Sequence, residues 1–148
     1  MAFPWQEAIP LCGQGGNLTE TNVAVLTVDD QAVFRQVARE VIEATAGFAH
    51  VGEACSGEEA MTVADQVRPA LVLMDVRMKG MDGCEAARRI SAAHPGTTIV
   101  LITVQDLDDV PISAKSCGAA ELVRKQDFGP AMLRALWRKH GRPQVKTL

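Results

Sequence analysis

The sequence is poor in aromatic residues and contains no tyrosine. Aromatic side chains make up 4% of the 148 residues, so a base-stacking platform for single-stranded RNA is not expected. The 15 Lys and Arg are outnumbered by 18 Asp and Glu, and the resulting net charge of -3 disfavours general nucleic-acid binding. No segment approaches the ~20 apolar residues that a membrane-spanning helix needs. We therefore expect no direct contact with nucleic acid or membrane.

The four cysteines are widely spaced and lack the spacings typical of metal or redox sites. Cys12, Cys55, Cys84 and Cys117 form no Cys-x-x-Cys pair and no zinc-like pattern with histidine. The first basic residue is Arg35, so the positively charged start of a secretory signal is absent, as is its long apolar run. These features predict reduced thiols and a cytoplasmic location.

The length and the hydrophobic content of the chain predict one folded domain with two short tails. Hydrophobic residues make up 47% of the chain, which is enough for a sizeable core but, at this length, for only one domain. Residues 1–22 are rich in Pro and Gly without periodicity, so we expect a flexible N-terminal extension. The folded domain is expected over residues 23–141, with residues 142–148 as a C-terminal tail.

Short apolar runs alternate with amphipathic segments along the domain. The predicted strands are Val23–Val28, His50–Glu53, Leu71–Met74, Ile99–Ile102 and Ala120–Val123. Helices are predicted after each strand, over 34–45, 57–66, 83–93, 111–118 and from 128 onwards. Their expected caps are Ser56, Asp82 and Asp127. The alternation predicts an α/β fold with a five-stranded parallel sheet and helices on both sides.

Four of the predicted strands are followed by residues whose side chains can bind a metal ion or take part in catalysis. Strand one ends at Asp29 and Asp30, strand three at Asp75, strand four at Thr103, and Lys125 follows strand five. The carboxyl ends of parallel strands share one edge of a sheet, so these groups should converge. Clustered carboxylates favour Mg²⁺, and a carboxylate beside the metal can be the nucleophile in phosphoryl transfer.

With these motifs, the sequence resembles the receiver domain of bacterial two-component response regulators. The resemblance covers roughly Val23 to His140, and its wording is closest to receivers that precede a helix-turn-helix domain. Its carriers are 25–30 (VLTVDD), 51–60 (VGEACSGEEA), 71–83 (LVLMDVRMKGMDG), 101–103 (LIT) and 118–125. It implies a flavodoxin-like (βα)5 doubly wound sandwich.

The resemblance also implies a role for each clustered residue. Asp75 matches the residue that accepts a phosphoryl group from the phosphohistidine of a sensor histidine kinase or a phosphotransfer protein. Asp29 and Asp30 match the acidic pair that holds Mg²⁺, together with Asp75 and the backbone carbonyl of Arg77. Thr103 and Lys125 match the switch hydroxyl and the phosphate-pairing lysine.

Two positions depart from the usual receiver pattern, and two others lie where the family varies. Lys79 stands where many receivers have proline, and Leu122 stands where the family has a switch aromatic. Arg77 and Gln105 lie where the family tunes the rate of dephosphorylation. Leu122 therefore leaves the aromatic half of the usual switch in doubt.

Only 23 residues follow Lys125, whereas a helix-turn-helix domain needs roughly 60. We therefore expect a stand-alone receiver whose output is contact with a downstream protein, with homodimer formation as an open question. It should be no enzyme beyond its own aspartyl phosphorylation and dephosphorylation.

Two alternatives belong to other functional classes. A haloacid-dehalogenase-like phosphatase also uses an aspartate nucleophile with Mg²⁺. That family has Asp-x-Asp at the first strand, whereas here Asp29 and Asp30 are adjacent and Arg77 lies two residues after Asp75. A degenerate receiver would act as a phosphorylation-independent interaction module, and Leu122 favours that alternative.

The carboxyl end is basic. No Asp or Glu occurs from Phe128 to Leu148, a segment that contains Arg134, Arg138, Lys139, Arg142 and Lys146. A solvated helix face is the simpler interpretation. A docking surface for an acidic partner is the other, and neutralising Arg138 and Lys139 would then weaken binding in a salt-dependent way.

Overall fold

The computed structural model describes residues 22–107, 110 and 117–141. Within them the strands are β1 (Val23–Val28), β2 (Phe48–Ala54), β3 (Leu71–Asp75), β4 (Thr98–Thr103) and β5 (Glu121–Arg124). The α-helices are α1 (Ala32–Ala44), α2 (Gly57–Val67), α3 (Gly83–Ala93) and α4 (Pro130–His140). Outside the described residues lie positions 111–116 of the predicted helix 111–118, the tail 142–148 and nearly all of the predicted extension 1–22.

All five strands pair in parallel in one sheet, in the order β2-β1-β3-β4-β5. The chain order of the strands reverses at β1, so a crevice is expected where β1 and β3 end side by side. The predicted five-stranded parallel sheet is confirmed.

The core lies on both faces of the sheet because the central strands are buried on both sides. All five residues of β3 are buried. Val72 and Met74 pack with residues of α2 and α3, whereas Leu71 and Leu73 pack with residues of α1 and α4. This alternation produces the doubly wound sandwich that the sequence predicts.

Two of the three predicted helix caps are confirmed. The side-chain oxygen of Ser56 accepts a hydrogen bond from the Glu59 N–H at 3.0 Å, and Oδ1 of Asp82 accepts one from the Glu85 N–H at 2.8 Å. These bonds satisfy backbone donors at the starts of α2 and α3.

The predicted start of the last helix is wrong. Asp127 lies in a short 3-10 helix (Lys125–Asp127) and its carboxylate accepts a hydrogen bond from Arg124, so it does not cap α4. Gly129 occupies the cap position and Pro130 the first turn, where a missing N–H costs nothing.

The second strand is longer than its predicted core, His50–Glu53. It runs from Phe48 to Ala54 at the edge of the sheet, and its five middle residues are only half-buried. An edge strand of mixed polarity carries little periodic signal.

Within the described residues, no helix has the length and apolar character needed to cross a membrane.

Candidate functional site

The strand register brings the predicted site residues to one edge. Val28 pairs with Met74, and Asp75 pairs with Ile102, so the residues that follow β1 lie beside the end of β3. Thr103 is the last residue of β4 and pairs with Arg124, directly before Lys125. The predicted convergence at the carboxyl edge is therefore present.

Three carboxylates form an acidic cluster at this edge. One carboxylate oxygen from each of Asp29, Asp30 and Asp75 lies within 4.8 Å of the others. Asp29 and Asp75 are buried, with exposures of 1% and 8%, whereas Asp30 is exposed. Such close, partly desolvated negative charges repel one another, and the site therefore favours a cation.

A lysine ammonium supplies part of that positive charge. The Lys125 Nζ lies 2.5 Å from Oδ2 of Asp29 and 3.9 Å from Oδ2 of Asp75. The nearer contact is an ion pair without hydrogen-bond geometry, because Oδ2 of Asp29 has no hydrogen-bond partner among the described residues. Lys125 thus spans two of the three carboxylates.

The environment of Asp75 disfavours its charged form. Burial raises the pKa of Asp75 to about 6, and the negative charges of Asp29 and Asp30 act in the same direction. The Lys125 ammonium and the backbone N–H of Arg77 act against this rise. Negative charge at Asp75 therefore needs more compensation than these two groups provide.

The donor set fits Mg²⁺. Three carboxylates offer the hard oxygen ligands that this ion prefers, and the exposed Asp30 leaves one side of the cluster open to the waters that it retains. Oδ2 of Asp29 is a buried oxygen without a hydrogen bond from the described residues, and its charge is compensated here by the Lys125 ammonium. Mg²⁺ could take over that compensation, because a buried carboxylate oxygen needs a cation or a donor beside it.

The loops after β3 and β4 are joined beside the cluster. Nε of Arg77 donates a hydrogen bond to Oε1 of Gln105 at 3.1 Å, and the backbone N–H of Gln105 donates to the Thr103 hydroxyl oxygen at 3.0 Å. Thr103 itself is buried. Lys79 is exposed, and Leu122 is half-buried against the side of the core formed by α2 and α3.

Two residues of α1 contact the site, and the sequence did not predict either contact. Nη1 of Arg35 donates a 2.6 Å hydrogen bond to the main-chain oxygen of Asp29. The ring of Phe34 lies 4.7 Å from the Lys125 ammonium. The sequence places Phe34 only at the start of the first predicted helix, over 34–45, and no pattern in it brings that residue to Lys125.

A glycine lets α3 approach the end of β3 closely. The Gly83 N–H donates a 2.9 Å hydrogen bond to the carbonyl of Val76. A Cβ atom on Gly83 would overlap the main-chain carbonyl of Asp75. The residue at the start of α3 must therefore lack a side chain if Asp75 is to keep its place.

A doubly wound sandwich with an acidic cluster and a lysine at the carboxyl edge matches the arrangement implied by the resemblance to receiver domains of two-component signalling. The family model for the response regulator receiver domain matches residues 25–137. The chain belongs to this family.

Individual relatives agree with this assignment. The chain is 37% identical over 103 residues to the response regulator GacA of Pseudomonas viridiflava, a match that covers 70% of this chain and 48% of GacA. It is 46% identical over 79 residues to a protein-glutamate methylesterase/protein-glutamine glutaminase of Hahella chejuensis, covering 53% of this chain and 22% of that protein. The chain therefore spans about half the length, or less, of these curated relatives.

A solved structure has the same fold. The two-component response regulator of the LuxR family from Aurantimonas sp. SI85-9A1 superimposes with a TM-score of 0.72 at 28% identity. The match covers 82% of this chain and 89% of that one. The predicted flavodoxin-like receiver fold is thereby confirmed.

Proposed function

We propose that this receiver accepts a phosphoryl group on Asp75 from the phosphohistidine of a sensor histidine kinase or a phosphotransfer protein. One observation carries the proposal: Asp75 lies in a cluster with two further carboxylates and 3.9 Å from the Lys125 ammonium. Membership of the receiver family supports it. The predicted roles of the site residues are part of this proposal.

The transfer needs no reactant beyond the phosphohistidine, the Asp75 carboxylate and a proton from solvent. A carboxylate oxygen of Asp75 attacks phosphorus, an O–P bond forms, and the N–P bond of the phosphohistidine breaks. The electron pair of that bond stays on the imidazole nitrogen, which takes up a proton from solvent. The product is an aspartyl phosphate on this chain and a neutral histidine on the donor.

The residues around Asp75 divide the remaining tasks. Asp29 and Asp30, with Asp75 and the backbone carbonyl of Arg77, would hold Mg²⁺. When bound, the ion would neutralise phosphoryl charge and orient the incoming group. The Lys125 ammonium pairs with a phosphoryl oxygen through a charge-assisted contact. The Thr103 hydroxyl moves towards another oxygen and gives up its bond with the Gln105 N–H.

The output proposed here is a contact with a downstream protein. The two curated relatives are named as a response regulator and as a methylesterase/glutaminase. Similar receiver sequences therefore occur in proteins that are named for different functions. We propose that this chain catalyses only its own phosphorylation and dephosphorylation and acts in the cytoplasm. Stand-alone action and homodimer formation stay predictions.

Leu122 favours a second candidate, a receiver that acts without phosphorylation. Its side chain projects from β5 against the side of the core formed by α2 and α3, and it offers no ring that could swing between positions. A receiver of this second type would bind its partner in the unmodified state. The two candidates differ in whether Asp75 is ever modified.

Intact mass spectrometry separates the two candidates. The protein is incubated with Mg²⁺ and acetyl phosphate, beside an Asp75→Ala variant and a chelated sample. We expect a gain of ~80 Da, one phosphoryl group, in the parent with Mg²⁺ only. No gain in folded, Mg²⁺-supplied parent would contradict the proposal and support the phosphorylation-independent candidate.

A further inference from the structure

The Lys125 ammonium has a neutral partner in addition to its acidic ones. Its Nζ lies over the ring of Phe34, 4.7 Å from the ring centroid, within the range in which a cation is attracted by the negative face of an aromatic ring. The Lys125 side chain is only 11% exposed. Attraction to the ring is therefore weakened little by solvent.

The Phe34 ring is itself held in place. Its centroid lies 6.0 Å from that of Phe128, with the two ring planes inclined at 56°, an arrangement favourable for aromatic pairs. Both rings pack against the side of the core that includes residues of α1 and α4. The ring is thus a fixed platform at the start of α1.

An aromatic ring and a carboxylate can both hold an ammonium, but only the carboxylate neutralises its charge. Asp29 lies 2.5 Å from Lys125 in this structure, yet the proposed function gives Asp29 to Mg²⁺ and Lys125 to a phosphoryl oxygen. The ammonium then has to release Asp29 without leaving the site. A ring attracts the ammonium without neutralising it, so the full positive charge stays available for the incoming anion.

We propose that Phe34 is a positioning residue, whose ring holds the Lys125 ammonium at the acidic cluster while Lys125 exchanges Asp29 for a phosphoryl oxygen. The inference rests on the proposed function for its catalytic consequence. The ring–ammonium attraction itself does not depend on phosphorylation. Its test has to separate the charge distribution of the ring from its shape, because Phe34 also fills space in the core.

Fluorination makes that separation. Replacement of Phe34 by 3,4,5-trifluorophenylalanine keeps nearly the same shape but weakens the negative ring face. We expect phosphorylation by acetyl phosphate to become about threefold to tenfold slower at saturating Mg²⁺, while thermal stability changes little. The matched control is the same replacement at Phe48, a buried residue of the same side of the core, where the rate should not change. Equal rates in parent and fluorinated Phe34 protein would overturn the positioning role.

A double-mutant cycle tests the attraction without any phosphorylation. Phe34→Leu, Lys125→Met and the double variant are unfolded with urea, and the unfolding equilibrium constants are compared. We expect the two changes to be coupled by a factor of about three or more. Independent effects would overturn the inference. If the parent accepts no phosphoryl group, the proposed function is wrong. The double-mutant cycle then still shows whether Phe34 and Lys125 attract each other.

Discussion

At the scale of single residues, Asp29 depends on an arginine from α1. Arg35 donates one hydrogen bond to the main-chain oxygen of Asp29 at 2.6 Å and another to Glu53 at 3.0 Å. Its side chain is 20% exposed. Arg39 donates to the same Glu53 carboxylate at 3.0 Å, but within the described part of the chain it makes no hydrogen bond to Asp29.

We predict that Arg35→Ala lowers the free energy of unfolding more than Arg39→Ala does. Loss of a charge-assisted hydrogen bond to the site backbone should lower the free energy of unfolding by about 1–3 kcal/mol, and loss of an exposed ion pair by less than about 1 kcal/mol. Urea unfolding and calorimetric titration with Mg²⁺ measure both effects. Mg²⁺ should bind more weakly to the Arg35 variant only. Equal losses in the two variants would mean that Arg35 does not fix Asp29.

The position of Asp75 depends on Gly83. In Gly83→Ala the new Cβ would overlap the Asp75 carbonyl, so α3 or the end of β3 has to move. Overpacking of this kind should cost about 1–3 kcal/mol and slow Asp75 phosphorylation. The control is Gly96→Ala, since a Cβ there has no atom within 4 Å and should change stability by less than about 0.5 kcal/mol. A stable, fully active Gly83 variant would contradict this account.

At the scale of helices and strands, the sequence predicted best the elements whose environment is uniform. β3 is buried on both faces, so its apolar run is unambiguous. The caps at Ser56 and Asp82 are local contacts between residues three apart, which a short pattern can encode. The cap at Asp127 failed because its carboxylate bonds instead to Arg124, an equally local alternative.

The contact between α1 and β2 should make stability depend on pH. Burial tends to raise the pKa of Glu53, but its hydrogen bonds and ion pairs with Arg39 and Arg35 outweigh that effect and lower the pKa below its usual 4.5. A carboxyl whose pKa is lower in the folded protein stabilises the fold above its unfolded pKa. That stabilisation is lost as the pH falls through the lowered value.

The matched variant for this pH dependence is Glu53→Gln, which keeps the shape and removes the charge. We predict that parent and variant differ in urea-unfolding free energy at pH 7, with the parent more stable. The difference should shrink as the pH falls below the usual carboxyl pKa of about 4.5. A difference that is the same at neutral and acidic pH would show that the ion pairs with Arg35 and Arg39 contribute nothing.

At the scale of the whole molecule, the topology made the candidate site predictable. Parallel strands place their carboxyl ends at one edge, so the order of Asp29, Asp75, Thr103 and Lys125 along the chain was enough to predict their convergence. The same reasoning could not predict the Phe34 contact, because it depends on how α1 packs against the segment after β5. Contacts between side chains on elements distant in sequence are set by packing, which no local pattern encodes.

The basic carboxyl end belongs to this scale as well. Arg134 and Arg138 are exposed on α4, and Lys139 lies 3.7 Å from Glu121. Arg142 and Lys146 lie outside the described residues. The structure thus presents two exposed arginines on one ridge of α4, and docking of an acidic partner there stays a prediction.

The central claim is that Asp75, rather than either neighbouring carboxylate, carries the phosphoryl group. The most direct test is borohydride reduction of protein treated with acetyl phosphate and Mg²⁺, followed by peptide mass spectrometry. An aspartyl phosphate is reduced to homoserine, about 14 Da lighter than aspartate. We predict this change at position 75 alone, and its absence in Asp75→Ala. A change at Asp29 or Asp30, or no change in any peptide, would contradict the account.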